Sequence, residues 1–337
     1  MAQMKYFYEL TISSSPHVHS PVTTQTIMRD VLIALTPALI GSVYFFGFRA
    51  LIVTLISVAA CVFFEWAYCK ILKKHCKVYD LSAVVTGVLL AFVCQVTIPY
   101  WCIIVGDFFA IVVVKQLFGG LGRNFVNPAL AGRAFMFSWP VLMTNWVKVG
   151  FHNAAGILST VDAETAATPL ASMHNGVIDP AAGSIADMFL GNVGGCIGET
   201  SALLLLIGLV YLLVRKVIKL HIPLSYIGTV AVLTFLFPQG NDNLTWMAAQ
   251  LFSGGLMLGA IFMATDYVTS PITKLGQVIF GIGCGVLTVL IRYFGGYNEG
   301  VSYAILVMNC LVVLLDRIGR PTKFGAPKKA KKEAGKV

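Results

Sequence analysis

The sequence contains few charged residues. Asp, Glu, Lys and Arg together make up 12% of its 337 residues, whereas hydrophobic residues make up 57% and the mean hydropathy is +0.81. Soluble domains typically contain about 25% charged residues. The composition therefore argues against an ordinary soluble protein and predicts one that crosses a membrane several times.

Motifs for metals, haem and nucleotides are missing as well. The eight cysteines form no C-x-x-C pair, so the closely spaced thiolates of a typical iron–sulfur site are not present. None of the six histidines lies inside a predicted span, which argues against a haem with two membrane histidines. No G-x-G-x-x-G follows a strand, and no soluble domain offers a basic face. We therefore expect no metal site, no nucleic-acid partner, and no NADH or ferredoxin site on this chain alone.

Apolar runs occupy most of the chain, and ten of them are long enough, or nearly so, to cross a bilayer as helices. They predict an all-α polytopic membrane protein. Ten spans would also allow two inverted halves of five helices, as in many transporters, although only the helix count suggests this. The first thirty residues are polar and contain two prolines, so they predict no signal peptide. The runs are residues 31–48, 50–69, 81–98, 101–118, 128–143, 197–214, 224–238, 245–265, 275–292 and 301–316.

Lysine and arginine residues are distributed unevenly between the two sides of these spans. With the N-terminus in the cytoplasm, 21 of the 24 lie on the cytoplasmic side, and only Arg49, Lys148 and Arg292 lie on the other. Cytoplasmic loops of membrane proteins carry such an excess. The distribution predicts that both termini are cytoplasmic and that the net charge of +9 reflects topology. The basic tail is then either solvated or in contact with anionic lipid.

This topology divides the chain into five parts. Two terminal segments are cytoplasmic, two sets of five helices cross the membrane, and one long loop lies on the outer side. The parts are residues 1–30 (N-terminal segment), 31–143 (first helix set), 144–196 (outer loop), 197–316 (second helix set) and 317–337 (basic tail).

The outer loop contains the alanine-rich stretch DAETAATPLAS, residues 162–172, in which Thr168 directly precedes Pro169. A threonine N-cap followed by proline is a common helix start. The same hydroxyl could carry a phosphate, because the unpaired N–H groups and the dipole of a first helical turn favour an anion. The two interpretations do not exclude each other, and the sequence leaves both open.

Glycines cluster in FGGLGRNFVNPALAGR, residues 118–133, on the predicted cytoplasmic side. Gly119, Gly120 and Gly122 permit positive φ angles and a close approach of the backbone. The following Asn127-Pro128 pair predicts a helix start. Either this strip binds an anionic or flavin-like ligand, or it forms a tight turn between two helices.

Four acidic residues lie within or at the ends of predicted spans. Asp107 and Glu65 are inside them, and an ionisable group at membrane depth favours a functional role. We expect an ion or proton pathway at Asp107 or, alternatively, a buried pair with Lys115. Glu199, in GETS, begins a predicted helix. Asp266, in FMATDYVTSPIT, ends one, where the dipole disfavours a carboxylate, so we expect a cationic partner there, either a side chain or a passing ion.

Four stretches in order, GGLGRNFVNPALAGR, GETSALLLLIG, FMATDYVTSPIT and IRYFGGYNEGVSYAIL, resemble a known family. Over nearly its whole length the chain resembles the RnfD subunits of the Rnf ferredoxin:NAD oxidoreductase complexes. It is more distantly similar to the NqrB subunits of the sodium-pumping NADH:quinone oxidoreductases. The resemblance implies one component of an ion-translocating oxidoreductase in the inner membrane of a prokaryote, which is not a complete enzyme alone.

The resemblance also implies covalently bound FMN. Members of the family attach FMN by a phosphoester to the last residue of a Ser/Thr-x-Ala-Thr motif. Here the motif is TAAT, residues 165–168, which assigns the linkage to Thr168 and places Thr165 and Ala167 beside it. Ala166 stands where glycine is commoner, a difference that should not block attachment.

A second, noncovalent flavin such as riboflavin is implied too. The resemblance does not map its site, and we assign it to the glycine strip, with Gly122, Arg123 and Asn127 as candidate ligands. Tyr267 stands where relatives often have proline.

The resulting hypothesis is an electron-carrying, ion-coupling subunit. Electrons would pass between ferredoxin and NAD through partner subunits and FMN, coupled to Na⁺ or H⁺ translocation. Asp107, Asp266 and Glu65 are the candidate ion-pathway residues. The alternative is a cofactor-free secondary transporter or channel, which the helix count and the single Asn-Pro-Ala also suit.

Overall fold

The computed structural model describes residues 22–73, 78–144, 146, 168–174, 176, 183–240, 242–296 and 299–318. Within these ranges the chain forms helices and no strands, which confirms the predicted all-α class. Four helices are each long and apolar enough to cross a membrane, so the prediction of a multi-pass membrane protein is confirmed as well. The four are α1 (Thr24–Phe46), α2 (Phe48–Ile71), α13 (Lys274–Phe294) and α14 (Val301–Ile318).

The remaining helices are shorter. A π-helix, Phe109–Gln116, continues α4, and another, Gly259–Met263, continues α12. The α-helices are α3 (Ser82–Phe92), α4 (Tyr100–Phe108), α5 (Pro128–Met136), α6 (Pro140–Met143), α7 (Pro169–His174), α8 (Ile185–Leu190), α9 (Ala202–Val214), α10 (His221–Leu236), α11 (Asn243–Phe252) and α12 (Leu256–Leu258).

The prediction of ten continuous spans is not confirmed. The run 81–98 becomes a helix that ends at Phe92, and the run 128–143 divides into α5 and α6. The run 245–265 bends by 64° between α11 and α12. Gly254 lies at this bend with a φ of 64°, a left-handed conformation that glycine adopts without a steric penalty. Hydropathy detects the apolar character of these runs but not their breaks.

The broken end of α3 is closed by a distant part of the chain. The N–H groups of Ile197 and Gly198 donate to the carbonyls of Cys94 and Phe92, at 2.9 Å each. Backbone groups in an apolar interior must be paired, so this contact satisfies carbonyls that a continuing helix would have used. It also brings the segment before α9 into the centre of the bundle.

The helices run between two ends of the bundle, which we name after residues found there. The Asn127 end contains the beginnings of α1, α3 and α5 and the last residues of α9, which line one cavity together. The Thr168 end contains the last residues of α11 and the beginning of α14, which line another. Helix α14 starts at the Thr168 end, and Asp316 near its last turn accepts from the N–H groups of Ile272 and Thr273, just before α13. The start of α1 and the last turn of α14 therefore both lie at the Asn127 end.

Polar caps begin several helices. At α11, Asp242 accepts from the N–H of Thr245 at 3.2 Å and from its hydroxyl. The hydroxyl lowers the pKa of the exposed Asp242 carboxyl. A lowered carboxyl pKa means that the cap stabilises the folded state at neutral pH and is lost as the pH falls through that pKa.

Candidate functional site

Thr168 caps α7, as its position before Pro169 predicts. Its Oγ1 accepts from the N–H of Ala171 at 3.3 Å, and its carbonyl accepts from the same N–H at 2.9 Å. The hydroxyl acts as an acceptor in this cap, so the cap does not use its hydrogen. Thr165 and Ala167 lie outside the described residues.

A cavity of about 920 Å³, counting its open mouth, adjoins Thr168. Four aromatic residues line it, and the rings of two of them, Phe137 and Tyr303, lie 6.4 Å apart. The polar lining includes Thr144, Ser302 and two carboxylates. An apolar, aromatic cavity with a few polar groups suits a flat heterocyclic ligand.

The carboxylates belong to a buried ion cluster at the floor of this cavity, made of Arg133, Glu199 and Glu299. Arg133 lies on α5 and donates through Nη1 to Glu199 Oε1 at 3.4 Å. It donates through Nη2 to Glu299 Oε2. The same guanidinium donates to Ser302 Oγ at 2.9 Å. A buried arginine requires partners of this kind, because an uncompensated charge in the interior costs several kcal/mol.

Sequence reasoning missed this cluster. Glu199 was expected in the first turn of a helix, but α9 begins at Ala202 with Ser201 as its N-cap. Arg133 was counted among the cytoplasmic charges, whereas it lies at the Thr168 end. Its partners are 66 and 166 residues away along the chain, so local patterns carry no signal for the contact.

Arg292 supplies a second buried cation at this end. It donates through Nη1 to the backbone carbonyl of Gln250, through Nη2 to that of Ser253 at 3.1 Å, and through Nε to that of Glu299 at 3.2 Å. It thereby closes the C-terminal end of α11, where the helix dipole favours a positive charge.

Three potential metal ligands converge in the cluster. The ligand atoms of Cys196, Glu199 and Glu299 lie within 4.8 Å of one another. The Arg133 guanidinium, however, already contacts all three side chains. A bound divalent ion would have to replace these contacts while lying beside a fixed positive charge, which disfavours it. The described arrangement is that of an ion pair.

The second cavity, of about 760 Å³, lies at the Asn127 end. Asn127 caps α5 through its Oδ1, which accepts from the N–H of Ala129 at 3.0 Å, and its Nδ2 donates to the carbonyl of Met263 at 3.2 Å. Asn124 is buried and also lines the cavity, and its Oδ1 has no hydrogen-bond donor among the described residues.

The glycine strip has the predicted backbone. Gly119, Gly120 and Gly122 have φ angles of 113°, 88° and 91°. Of the three candidate ligands in the strip, only Asn127 lines the cavity. Arg123 packs over the backbone of Gly119 instead, and Gly122 has open space where a side chain would be. The structure therefore makes this part of the strip a tight turn.

The intramembrane acids have partners that differ from those expected. Lys115 pairs with Glu65 at 3.0 Å rather than with Asp107, so the alternative pairing was wrong. Asp107 is fully buried and accepts from Ser57 Oγ at 2.7 Å and from Cys61 Sγ at 3.2 Å.

Asp266 lines the cavity at the Asn127 end, and its carboxylate accepts from Thr269 Oγ1 at 3.0 Å. Among the described residues no cationic side chain lies within ion-pair distance of it, so of the two expected partners only a passing ion stays a prediction.

Comparison with known proteins identifies the family. The sequence model of the NQR2, RnfD, RnfE family matches residues 11–325. The chain belongs to this family. It is 47% identical to the D subunit of the Na⁺-translocating ferredoxin:NAD⁺ oxidoreductase complex of Acetobacterium woodii, over 96% of this chain and 98% of the relative. It is 44% identical to the D subunit of the proton-translocating ferredoxin:NAD⁺ oxidoreductase complex of Clostridium ljungdahlii, over 94% and 96%.

A more distant family member is the D subunit of the ion-translocating oxidoreductase complex of Actinobacillus succinogenes, 35% identical over 93% of this chain and 97% of the relative. The resemblance to the RnfD subunits, drawn from four sequence stretches, is thereby confirmed. The two nearer relatives name different ions at almost equal identity, so family membership does not decide between Na⁺ and H⁺.

Proposed function

We propose that this chain is the membrane subunit of a redox-driven ion pump, passing electrons between ferredoxin and NAD⁺ through partner subunits. The relatives' names support it: they describe the D subunits of ion-translocating ferredoxin:NAD⁺ oxidoreductase complexes, matched along almost the whole chain. Residues 319–337 and 1–21 lie outside the described part. The proposal includes an inner-membrane location, cytoplasmic termini and a Thr168 end that faces outward.

FMN esterified to Thr168 is the central part of the proposal. The observation that carries it is the position of Thr168 Oγ1 at an aromatic cavity, in a cap where it accepts but need not donate. A phosphoester at Oγ1 would keep this acceptor and direct the rest of the nucleotide into the cavity. FMN would supply one- and two-electron transfer. Phe137 and Tyr303 would then cover the ring system.

A second, noncovalent flavin would occupy the cavity at the Asn127 end. Flavins present a uracil-like edge with an N–H donor, and Asn124 Oδ1 is a buried acceptor that no described donor satisfies. Leaving such a group unpaired is costly, so a ligand donor there would be stabilising. Asp107, Asp266 and Glu65 remain candidate ion-pathway residues.

Denaturing gels test the covalent linkage. The purified complex is denatured, and this subunit is inspected for flavin fluorescence under ultraviolet light, followed by mass spectrometry of the peptide around residue 168. We expect a fluorescent band in the wild type and in Thr144→Ala, because Thr144 lines the same cavity with a hydroxyl that donates to its own helix. We expect a dark band for Thr168→Ala. A dark wild-type band with an unmodified peptide would instead favour the cofactor-free transporter.

A further inference from the structure

One carboxylate oxygen at the Thr168 end has no donor. Glu199 is 4% exposed, and its Oε1 accepts from Arg133, but no described residue donates to its Oε2. Glu199 also lines the cavity beside Thr168. A buried carboxylate oxygen without a donor is costly, so a further positive species would be stabilised at this atom.

The charged groups around Glu199 lie on or just before three helices, whereas the start of α12 packs against its carboxylate through the uncharged Gly255. Arg133 approaches from α5 and Arg292 from α13, and Glu299 lies just before α14. Two thiols, of Cys196 and Cys94, are also buried there, and Cys196 donates to the carbonyl of Val93 at 3.2 Å. With both thiols neutral, two guanidinium groups balance two carboxylates. The cluster is therefore close to neutral until further charge enters the cavity.

The species that fits Glu199 Oε2 is a proton. A metal ion needs several oxygen or nitrogen ligands, whereas this cluster offers two carboxylates already in contact with Arg133 and one thiol. A proton needs one lone pair, and Glu199 Oε2 has it free of any described donor. Two neighbouring carboxylates in a low-dielectric site bind a proton more readily than either would alone.

We infer that Glu199 binds a proton at Oε2 when negative charge enters the Thr168 cavity. This inference rests on the proposed function, which supplies the electron from the partner subunits. One electron enters the cavity, one proton arrives from water through the cavity mouth, and an O–H bond forms on Glu199. When the electron leaves, that bond breaks and the proton returns to water, so the net charge of the cavity is the same before and after each transfer.

The redox test uses the assembled complex. The midpoint potential of the flavin bound to this subunit is measured between mildly acidic and mildly alkaline pH. In the wild type it should fall by about 59 mV per tenfold decrease in proton concentration, the value for one proton per electron. Glu199→Gln should lose this slope, Glu199→Asp should restore it, and Asp187→Asn, which changes a half-buried carboxylate in the α8 cap, should keep it. A slope that survives in Glu199→Gln would overturn the inference, because the proton would bind elsewhere.

Sodium is the competing outcome. If the potential at fixed pH moves when NaCl replaces KCl, and does not move with pH, then a sodium ion compensates the charge and the proton inference is wrong.

A second measurement separates this inference from the proposed function. Infrared difference spectra of the wild-type complex, recorded between its oxidised and reduced states, should show a carboxylic acid band that Glu199→Gln removes and Glu199→Asp shifts. If wild-type gels fluoresce and this band is missing, the proton site fails and the flavin stands. If the band is present and the gels are dark, the flavin assignment fails and the proton site stands.

Discussion

Lys115 carries its ammonium group into the interior of the bundle, where only 2% of the residue is exposed. Its Nζ donates to Glu65 Oε2 at 3.0 Å and to Ser82 Oγ at 2.8 Å. Gln116, next along the π-helix, donates to the other oxygen of Glu65 at 2.8 Å. Both carboxylate oxygens of Glu65 therefore accept a hydrogen bond. These bonds and the one to Ser82 join α2 and α3 to the π-helix that continues α4.

Lys115→Met should destabilise the protein more than a change of both partners. The single change leaves Glu65 buried without its cation, which typically costs about 3–5 kcal/mol. The double variant Lys115→Met/Glu65→Leu removes both charges, and replacement of a buried pair by apolar side chains is often neutral or stabilising. Unfolding of the detergent-solubilised protein by a denaturing detergent measures both. Equal losses in the two variants would mean that the charges contribute little and that packing dominates.

Residues close in sequence were predicted better than residues close in space. The N-cap of Thr168 and the positive φ angles of the glycine strip follow from two or three neighbouring residues, and both are confirmed. The pairing of Lys115 with Glu65 spans 50 residues, so it depends on how α2 and the π-helix pack. For the same reason the cluster of Arg133 with Glu199 was not predicted.

Among the helices, close packing depends on glycine. Gly281 on α13 faces α10, and a Cβ built there would lie 2.9 Å from the carbonyl of Ile222 and 1.9 Å from Ser225 Oγ. Small residues allow helix backbones to approach in a membrane, where helix association has little hydrophobic driving force. Gly285, one turn further along α13, packs in the same way against Thr229.

Gly281→Ala should loosen the contact between α10 and α13. The added methyl meets backbone, which cannot rotate away, and overpacking of this kind typically costs about 1–3 kcal/mol. Gly228→Ala is the matched control, because Gly228 lies on α10 with no atom within 4 Å of the added methyl. There alanine should leave stability unchanged or raise it by up to about 1 kcal/mol. Thermal unfolding in detergent compares the two, and a larger loss for Gly228→Ala would contradict the packing described here.

Helix breaks were the least predictable elements. Hydropathy identifies the runs that contain α3 and the α11–α12 pair, since both are apolar throughout. The end of α3 depends on hydrogen bonds to Ile197 and Gly198, more than a hundred residues away. A sequence window of twenty residues contains no information about such a contact.

For the molecule as a whole, basic residues outside the core are divided between the two predicted sides of the membrane even more unevenly than the full sequence count suggests. Lys115 and Arg133 are buried in ion pairs and are not loop charges. Arg49 and Arg292, two of the three residues counted on the outer side, are also buried and donate to backbone carbonyls. Without these four, 19 of the 20 remaining basic residues belong to the predicted cytoplasmic side. The topology itself stays a prediction.

Reporter fusions measure this topology. A reporter that is active only outside the cytoplasm should be inactive when fused after residue 337 and active when inserted near Lys148. A fluorescent reporter that folds only in the cytoplasm should give the opposite pattern. Activity of the first reporter at the C-terminus would reverse the orientation and place Thr168 on the inner side.

Helix α5 has nine residues, roughly 13 Å at 1.5 Å per residue, and it is held at both ends. Asn127 ties one end to the carbonyl of Met263, and Arg133 ties the other to two glutamates. Helix α5 therefore connects the cavity at the Asn127 end with the ion cluster at the Thr168 end. If binding in one cavity is coupled through α5 to binding in the other, thermodynamic reciprocity requires that each changes the affinity of the other by the same factor.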